Sequence, residues 1–253
     1  MSREKQLNEI LQLYLEDFNQ KSRYGFVVRP SIPIVWFGNL EKYNSSIGKI
    51  VTVALNPSHK EFPANRSRFD LSARTPQALR ATLNNYFLDY PYTQWFRAFE
   101  SVLKCFNATY YESDDRFPRS AIHIDIYSAI ATQPTWGKLT PAQRNQLSRT
   151  DLFSRLLALL DPDMIVFSGN INIFREVFTN AHLEFEYRAQ NFSGSYIRKY
   201  SYGDKLIVTG LNYRGQPFGG MPHDETAQVL NQINQDFAAF LMAKSKRKLF
   251  LGE

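Results

Sequence analysis

The sequence predicts an α/β fold, a three-layer α/β/α domain around a central, mainly parallel four-stranded sheet. Four short apolar runs predict the strands, at 50–55, 121–127, 164–168 and 206–211. Segments with apolar residues at helical spacing separate these runs, and alternation of strands with helices favours a parallel sheet covered on both faces. Of the 253 residues 43% are hydrophobic, which is enough to bury one sizeable core, so we expect a single domain over 1–253.

The elements of the first half follow from local patterns. Residues 3–20 carry apolar side chains at helical spacing, which predicts an amphipathic first helix. Residues 31–37 have the pattern of an extended segment. Thr75 followed by Pro76 is typical of the cap and first position of a helix, and 95–106 carry the apolar stripe of another helix.

The second half continues the alternation. An apolar-striped helix is predicted over 151–160, and Gly169 ends the third strand before a helix at 171–178. The last helix is predicted over 226–243. The basic tail, 244–253, is interpreted as a solvated chain end.

Composition narrows the functional classes. Thirty basic and 24 acidic residues give a formal charge of +6, which suits a polyanionic partner without identifying one. The single cysteine, Cys105, excludes a disulfide framework, and four scattered histidines give no zinc-site spacing. We therefore expect no metal and no cofactor. No signal peptide or membrane-spanning stretch is visible, so we expect a cytoplasmic protein, acting as a monomer.

Three loops leave the carboxyl ends of predicted strands, at 56–69, 126–139 and 211–224. Ligands of open α/β sheets bind at this edge, so the loops should converge on one cleft. The first loop begins with Asn56, and Pro57 biases the preceding residue away from the helical region. The result is an immobile carboxamide at the sheet edge, which can orient a water or grip a planar base.

The third loop is long and rich in glycine and proline, and it carries Arg214, Phe218 and Met221. Two interpretations remain open. Its backbone can follow phosphates while Phe218 or Met221 wedges into a base stack. Alternatively, it is a surface crossover whose apolar side chains pack onto the body of the protein.

Several segments resemble one family. Ala54-Leu55-Asn56-Pro57-Ser58 resembles the first motif of the uracil-DNA glycosylase superfamily, nearest its mismatch-specific branch. The likeness covers roughly 48–240 in element order and is also carried by 62–66, 131–135 and 161–169. The third loop lies where the family has its second motif, of which Asn212 remains, while Tyr213 and Arg214 replace Pro-Ser.

The resemblance implies a monofunctional DNA glycosylase that flips a pyrimidine into a pocket and hydrolyses its N-glycosidic bond. Asn56 would position the water and Phe62 would stack on the flipped base. Asp125 would read the pyrimidine edge and, because a carboxylate only accepts hydrogen bonds, would favour a cytosine-like amine. A different alignment of this segment with the family would assign this role to Ser128 or Ala129 instead. A buried structural role for Asp125 is equally open.

The resemblance also implies the rest of the site. The base pocket would comprise Phe62, Asp125, Tyr127, Ser128 and Asn212. The expected DNA contacts are Ser58, His59, Arg66, Arg68, Lys138, Arg214 and Phe218. The alternative to DNA contact is that the basic side chains form a solvated rim. For His59 the alternative is that it is an exposed loop histidine without a binding role. No lysine replaces Asn56, so a Schiff-base lyase step is not expected.

The substrate expected first is a modified cytosine such as one in phage DNA, which suggests an antiviral role. Three alternatives stay open. One is housekeeping repair of uracil or mismatched thymine, and another is a non-catalytic DNA-binding protein on the same fold. The third is an enzyme that binds a small nucleotide at the same edge; the basic loop residues favour DNA over it.

Overall fold

The computed structural model describes residues 2–88, 91–111, 114, 116–190, 194–213 and 216–251. Eight α-helices lie in this part of the chain: α1 (Arg3–Lys21), α2 (Leu40–Ser45), α3 (Pro76–Asn84), α4 (Thr93–Cys105), α5 (Pro141–Leu147), α6 (Thr150–Leu160), α7 (Ile171–Val177) and α8 (His223–Leu251). The described strands are β1 (Ile50–Ala54), β2 (Ala108–Thr109), β3 (Arg119–Asp125), β4 (Met164–Ser168), β5 (His182–Arg188), β6 (Tyr196–Tyr202) and β7 (Lys205–Gly210).

The strands form one sheet in the order β2-β3-β1-β4-β7-β6-β5. The four predicted strands correspond to β3, β1, β4 and β7, which are parallel neighbours, so the predicted α/β class is confirmed. The expected strand number was too small, because the sheet has seven strands. Strand β2 extends one side in parallel, and β6 and β5 extend the other side antiparallel.

Strand β1 lies inside the sheet between β3 and β4, and every one of its residues is buried. Such continuous apolar runs are typical of parallel strands covered on both faces. Its register pairs Ile50 with Ala121 and Met164, and Ala54 with Asp125. The ends of β1 and β3 therefore lie side by side at the carboxyl edge.

Both faces of the central strands are covered, since every residue of β1 and β4 is buried; among the helices, α1 contacts α3 and α6, and α4 contacts α8. Several predicted boundaries are confirmed. The Thr75 hydroxyl accepts a hydrogen bond from the Ala78 N–H, with Pro76 in the first turn of α3. Helix α6 ends at Leu160, and α7 starts after Asn170, whose side chain accepts from the Asn172 N–H.

The chain end differs from the expectation. The predicted last helix was too short, because α8 runs from His223 to Leu251 and includes most of the tail expected to be solvated. Lys244 anchors this segment, with its Nζ 2.7 Å from Asp163 and 3.2 Å from Asp204. No helix in the described ranges combines the length and apolarity needed to cross a lipid bilayer.

A small apolar cluster lies beneath the loops at the carboxyl edge, beside the main core. It comprises Phe18, Val27, Ile130, Trp136, Leu139 and Leu147. These residues come from α1, from the segment after it and from the chain between β3 and α6. Their burial anchors the loops that follow β3.

Candidate active site

Strand β1 lies where the direction of the chain across the sheet reverses. From β1 the chain moves to β2 and β3 on one side, then crosses to β4 on the other side of β1 and continues to β5, β6 and β7. The crevice at the carboxyl ends of strands beside such a switch point is the general ligand site of open α/β sheets. Asn56 follows β1 directly at this position.

The loop after β1 is held by backbone hydrogen bonds to the loop after β3. The Tyr127 N–H donates to the Leu55 carbonyl at 2.9 Å, and His59 N–H donates to the Thr132 carbonyl at 3.2 Å. On the far side of this loop, Val28 N–H donates to the Ala131 carbonyl at 3.0 Å. The site is therefore built on three segments that extend the sheet beyond its edge.

Asn56 is half-buried, and its carboxamide has a defined orientation. Its Nδ2 donates a hydrogen bond of 2.8 Å to the carbonyl oxygen of Ile130. Its Oδ1 has no hydrogen-bond partner among the residues that the structure describes. The nitrogen side is thus fixed by the protein, and the oxygen remains an acceptor, as the positioning of a water requires.

A cavity of about 630 Å³ opens beside this loop. The loop after Asn56 contributes His59, Lys60, Phe62 and Arg68 to its wall. Arg29 and Tyr92 come from elsewhere in the chain, and the described lining contains no carboxylate. Asn56 itself is not a lining residue. The cavity is therefore a basic, partly aromatic recess adjacent to Asn56.

Two cations of this recess, Lys60 and Arg68, lie near one ring, that of Tyr92. Lys60 Nζ donates to the Tyr92 hydroxyl at 3.0 Å and lies 5.4 Å from the ring centre. The Arg68 guanidinium lies 5.7 Å from the same ring, and it donates to the Lys60 carbonyl at 2.5 Å. The contacts with Tyr92 therefore hold the Lys60 ammonium at the hydroxyl edge of the ring and the Arg68 guanidinium near it, so both positive charges lie in one part of the recess.

Phe62 and His59 complete the wall. Phe62 is half-buried and packs on Phe69 with ring centres 5.4 Å apart. His59 Nδ1 is buried and has no hydrogen-bond partner among the described residues. Phe62, His59 and Arg68, which the sequence nominated separately, therefore share one cavity.

Glu61 was missed by the sequence analysis. Its carboxyl group is buried, and the Tyr86 hydroxyl donates to it at 2.5 Å while accepting from Tyr92 N–H at 2.9 Å. Burial raises the pKa of Glu61 to about 8, and the negative charge of Asp125 acts in the same direction. A neutral carboxylic acid at pH 7 therefore lies directly behind the cavity wall. In the sequence, Glu61 stands in a polar loop, and only its distant partners reveal its burial.

Asp125 ends β3 opposite Ala54 and is 8% exposed. In the described residues its carboxylate receives no hydrogen bond, and the Nε2 atom of His123 lies 3.7 Å from its Oδ1. The backbone hydrogen bonds expected of a purely structural carboxylate are thus not seen here. Asp125 does not line the cavity.

The other expected base-pocket residues lie outside the cavity wall. Tyr127 stacks on Trp136 with ring centres 5.0 Å apart. Ser128 is buried, and its hydroxyl accepts from Ile130 N–H at 3.0 Å, which stabilises a local turn. Asn212 is half-buried, two residues after β7. Tyr127, Ser128 and Asn212 are therefore not among the residues that line the recess with Phe62.

The expected DNA contacts fall into different groups. The Ser58 hydroxyl accepts from Lys60 N–H at 3.3 Å, so Ser58 caps the short 3-10 helix His59–Glu61. Arg66 and Lys138 are exposed but do not line the cavity. Arg214 lies outside the described residues.

Phe218 requires a correction. It is buried, its N–H donates to the Ser168 hydroxyl at 3.3 Å, and its ring covers Gly210 so closely that a Cβ there would lie 2.3 Å from it. It cannot wedge into a base stack in this conformation. Met221 also packs against the core. The third loop thus follows the alternative interpretation, in which its apolar side chains pack onto the body.

No protein family model matches the chain, and no curated protein matches it.

Proposed function

We propose that this protein is a monofunctional DNA glycosylase that hydrolyses the N-glycosidic bond of a flipped-out pyrimidine, with a modified cytosine as the first candidate substrate. The observation that carries the proposal is the Asn56 carboxamide. It lies at the switch point of the sheet, its Nδ2 is bound to the Ile130 carbonyl, and its Oδ1 remains an acceptor.

The chemistry requires a positioned water and stabilisation of charge on the departing base. In the proposed mechanism, Asn56 Oδ1 accepts a hydrogen bond from the attacking water and orients its lone pair towards the anomeric carbon. An amide is a weak base, so the bond to the base must break far ahead of attack. The barrier is then lowered mainly by groups that stabilise the leaving base.

The basic recess supports DNA as the ligand. Arg29, Lys60 and Arg68 surround a cavity of about 630 Å³ whose described lining lacks carboxylates. Phosphates bind such surfaces without sequence preference. Phe62 in the same wall offers an aromatic face for a base, a contact worth about 1–3 kcal/mol in single-strand binding.

Asp125 supports the choice of a cytosine-type edge. Its carboxylate receives no hydrogen bond from the described residues and lies at the carboxyl end of β3 beside β1. An ionised carboxylate accepts from the exocyclic amine of cytosine and repels the C4 carbonyl of uracil. We further propose that the protein acts as a monomer in the cytoplasm.

The test is release of bases from oligonucleotides that contain uracil, mismatched thymine, cytosine, hydroxymethylcytosine or its glucosylated form. Abasic sites are detected by alkali cleavage. Asn56→Ala should reduce the rate by about 10²–10³, as removal of one transition-state contact does, while DNA affinity is retained. Asn172→Ala, which removes an exposed amide on α7, is the matched control. Equal rates for both variants would refute the role of Asn56.

A non-catalytic DNA-binding protein is the second candidate, and one observation favours it. The basic recess does not include Asn56 in its wall, so binding and hydrolysis need not coincide. This alternative predicts salt-sensitive DNA binding without abasic sites on any of the five substrates. Release of uracil alone would instead indicate housekeeping repair.

A further inference from the structure

A chain of polar side chains crosses the buried face of the sheet and ends at Asp125. The Tyr110 hydroxyl makes a short hydrogen bond with the Thr52 hydroxyl, and Thr52 Oγ1 lies 2.7 Å from His123 Nδ1. The opposite imidazole nitrogen, Nε2, lies 3.7 Å from Asp125 Oδ1. Tyr110, Thr52 and His123 are each at most 1% exposed, so bulk solvent does not reach them.

The direction of the hydrogen bonds follows from the donors available. The Tyr110 O–H has Thr52 as its hydrogen-bond partner within the described chain. If Thr52 donated to Tyr110 instead, the phenol hydrogen would be buried without an acceptor, at a cost of about 1–3 kcal/mol. Tyr110 therefore donates to Thr52. The Thr52 hydrogen is then directed at His123 Nδ1, because the alternative acceptor, the Ile122 carbonyl, is 3.5 Å away.

This direction fixes the tautomer of the imidazole. With Nδ1 acting as an acceptor, the ring hydrogen of neutral His123 resides on Nε2. The rings of Phe37, Phe96 and Phe99 surround the imidazole, with centres 5.5, 5.3 and 5.4 Å from it. A ring so enclosed cannot turn over without displacing the core. The Nε2–H therefore stays directed towards Asp125.

We propose that His123 is a positioning residue, held as its Nε2–H tautomer by the Tyr110–Thr52 hydroxyl pair, and that its N–H dipole orients the Asp125 carboxylate as a hydrogen-bond acceptor. The separation of 3.7 Å is longer than a hydrogen bond, so the interaction with Asp125 is electrostatic. The effect of this orientation of Asp125 on base selection rests on the proposed function. The tautomer of His123 does not depend on that function.

Nuclear magnetic resonance of the ¹⁵N-labelled imidazoles tests the tautomer without any substrate. The His123 signals are identified as those lost in His123→Asn. We expect Nδ1 to resonate as an unprotonated nitrogen and Nε2 as a protonated one. Thr52→Val should shift the balance towards protonated Nδ1, and Thr52→Ser should restore the native spectrum. A protonated Nδ1 in the unmodified protein, or no response to Thr52→Val, would overturn the proposal.

Thr209→Val is a matched control, because Thr209 is a buried strand threonine whose hydroxyl has no hydrogen-bond partner in the described chain. It should leave the His123 spectrum unchanged. Thermal unfolding of all variants shows whether the core is preserved. A spectral change in Thr209→Val equal to that in Thr52→Val would mean that the effect is general loosening of the core, which also overturns the proposal.

The effect on base selection is measured as base release from the five oligonucleotide substrates described above. Thr52→Val should reduce the preference for a cytosine-type base over uracil by about three- to tenfold, the worth of one hydrogen bond, and Thr52→Ser should restore it. An unchanged preference in an active enzyme would refute the orientation of Asp125 by His123. If the unmodified protein releases no base, the proposed function fails, while the tautomer experiment still decides the role of Thr52.

Discussion

Replacing Glu61 with glutamine should flatten the pH dependence of stability between about pH 5 and 8. Burial raises the pKa of Glu61 from 4.5 to about 8, so the folded protein keeps a proton that the unfolded chain releases. Stability from this group is therefore complete below pH 4.5 and is lost as pH rises towards 8. The slope is about 1.4 kcal/mol per pH unit, and the whole loss is about 5 kcal/mol.

Glutamine suits this test because it preserves the local contacts without ionising. Its side-chain oxygen can accept the hydrogen bond that the Tyr86 hydroxyl donates to Glu61 at 2.5 Å. The measurement is the free energy of unfolding by urea at four or five pH values for both proteins. The native curve should fall more steeply than that of Glu61→Gln, and the difference should level off above pH 8.

The control is Glu176→Gln, which makes the same chemical change at an exposed position on α7. Its curve should run parallel to that of the unmodified protein. If the curve of Glu61→Gln also runs parallel, Glu61 is ionised in the folded state at neutral pH. The interpretation of Glu61 as a neutral acid behind the cavity would then be refuted.

Two further predictions concern the recess and the third loop. Lys60→Gln should weaken DNA binding and lower, by about one unit, the slope of the logarithm of the binding constant against the logarithm of the salt concentration. The control Arg155→Gln, on the exposed surface of α6, should do neither. Equal effects of the two substitutions would mean that the recess is not a phosphate site. Gly210→Ala should destabilise the fold by about 1–3 kcal/mol in thermal unfolding, because the added Cβ would lie 2.3 Å from the ring of Phe218. Gly137→Ala is the control, because a Cβ at Gly137 would meet open space. A neutral Gly210→Ala would show that Phe218 does not pack there.

The local sequence predicts the centre of this fold well. Strand β1 is an uninterrupted apolar run, and helix α3 starts at a threonine and a proline with their usual roles. The antiparallel strands β5 and β6 were missed. Strand β5 alternates polar and apolar residues, but most of it is exposed at the sheet edge, so no buried apolar run marks it. Elements formed by an uninterrupted run of buried apolar residues are therefore predictable from the sequence, whereas exposed edge strands are not.

The site was only partly predictable for a related reason. Asn56 could be located because a strand end and a proline fix it locally, and the structure places it at the predicted edge. The burial of Glu61 could not be predicted, and that of Phe218 remained one of two interpretations, because these positions depend on Tyr86 and Ser168, which are distant in the sequence. A residue in a polar loop carries no sign of the core residues that will cover it.

The position of Asn56 outside the wall of the basic recess has a mechanistic consequence. Under the proposed function, a base held in the recess beside Phe62 would bring its sugar towards Asn56, which precedes the lining residues His59 and Phe62 in the same loop. Backbone hydrogen bonds to the loop after β3 hold Leu55, Pro57 and His59, which flank Asn56 in the chain. Such a rigid support favours water positioning, because a carboxamide that moved by 1 Å would lose much of its effect on the rate. The recess would then bind the flipped nucleotide, and the edge of the sheet would supply the water.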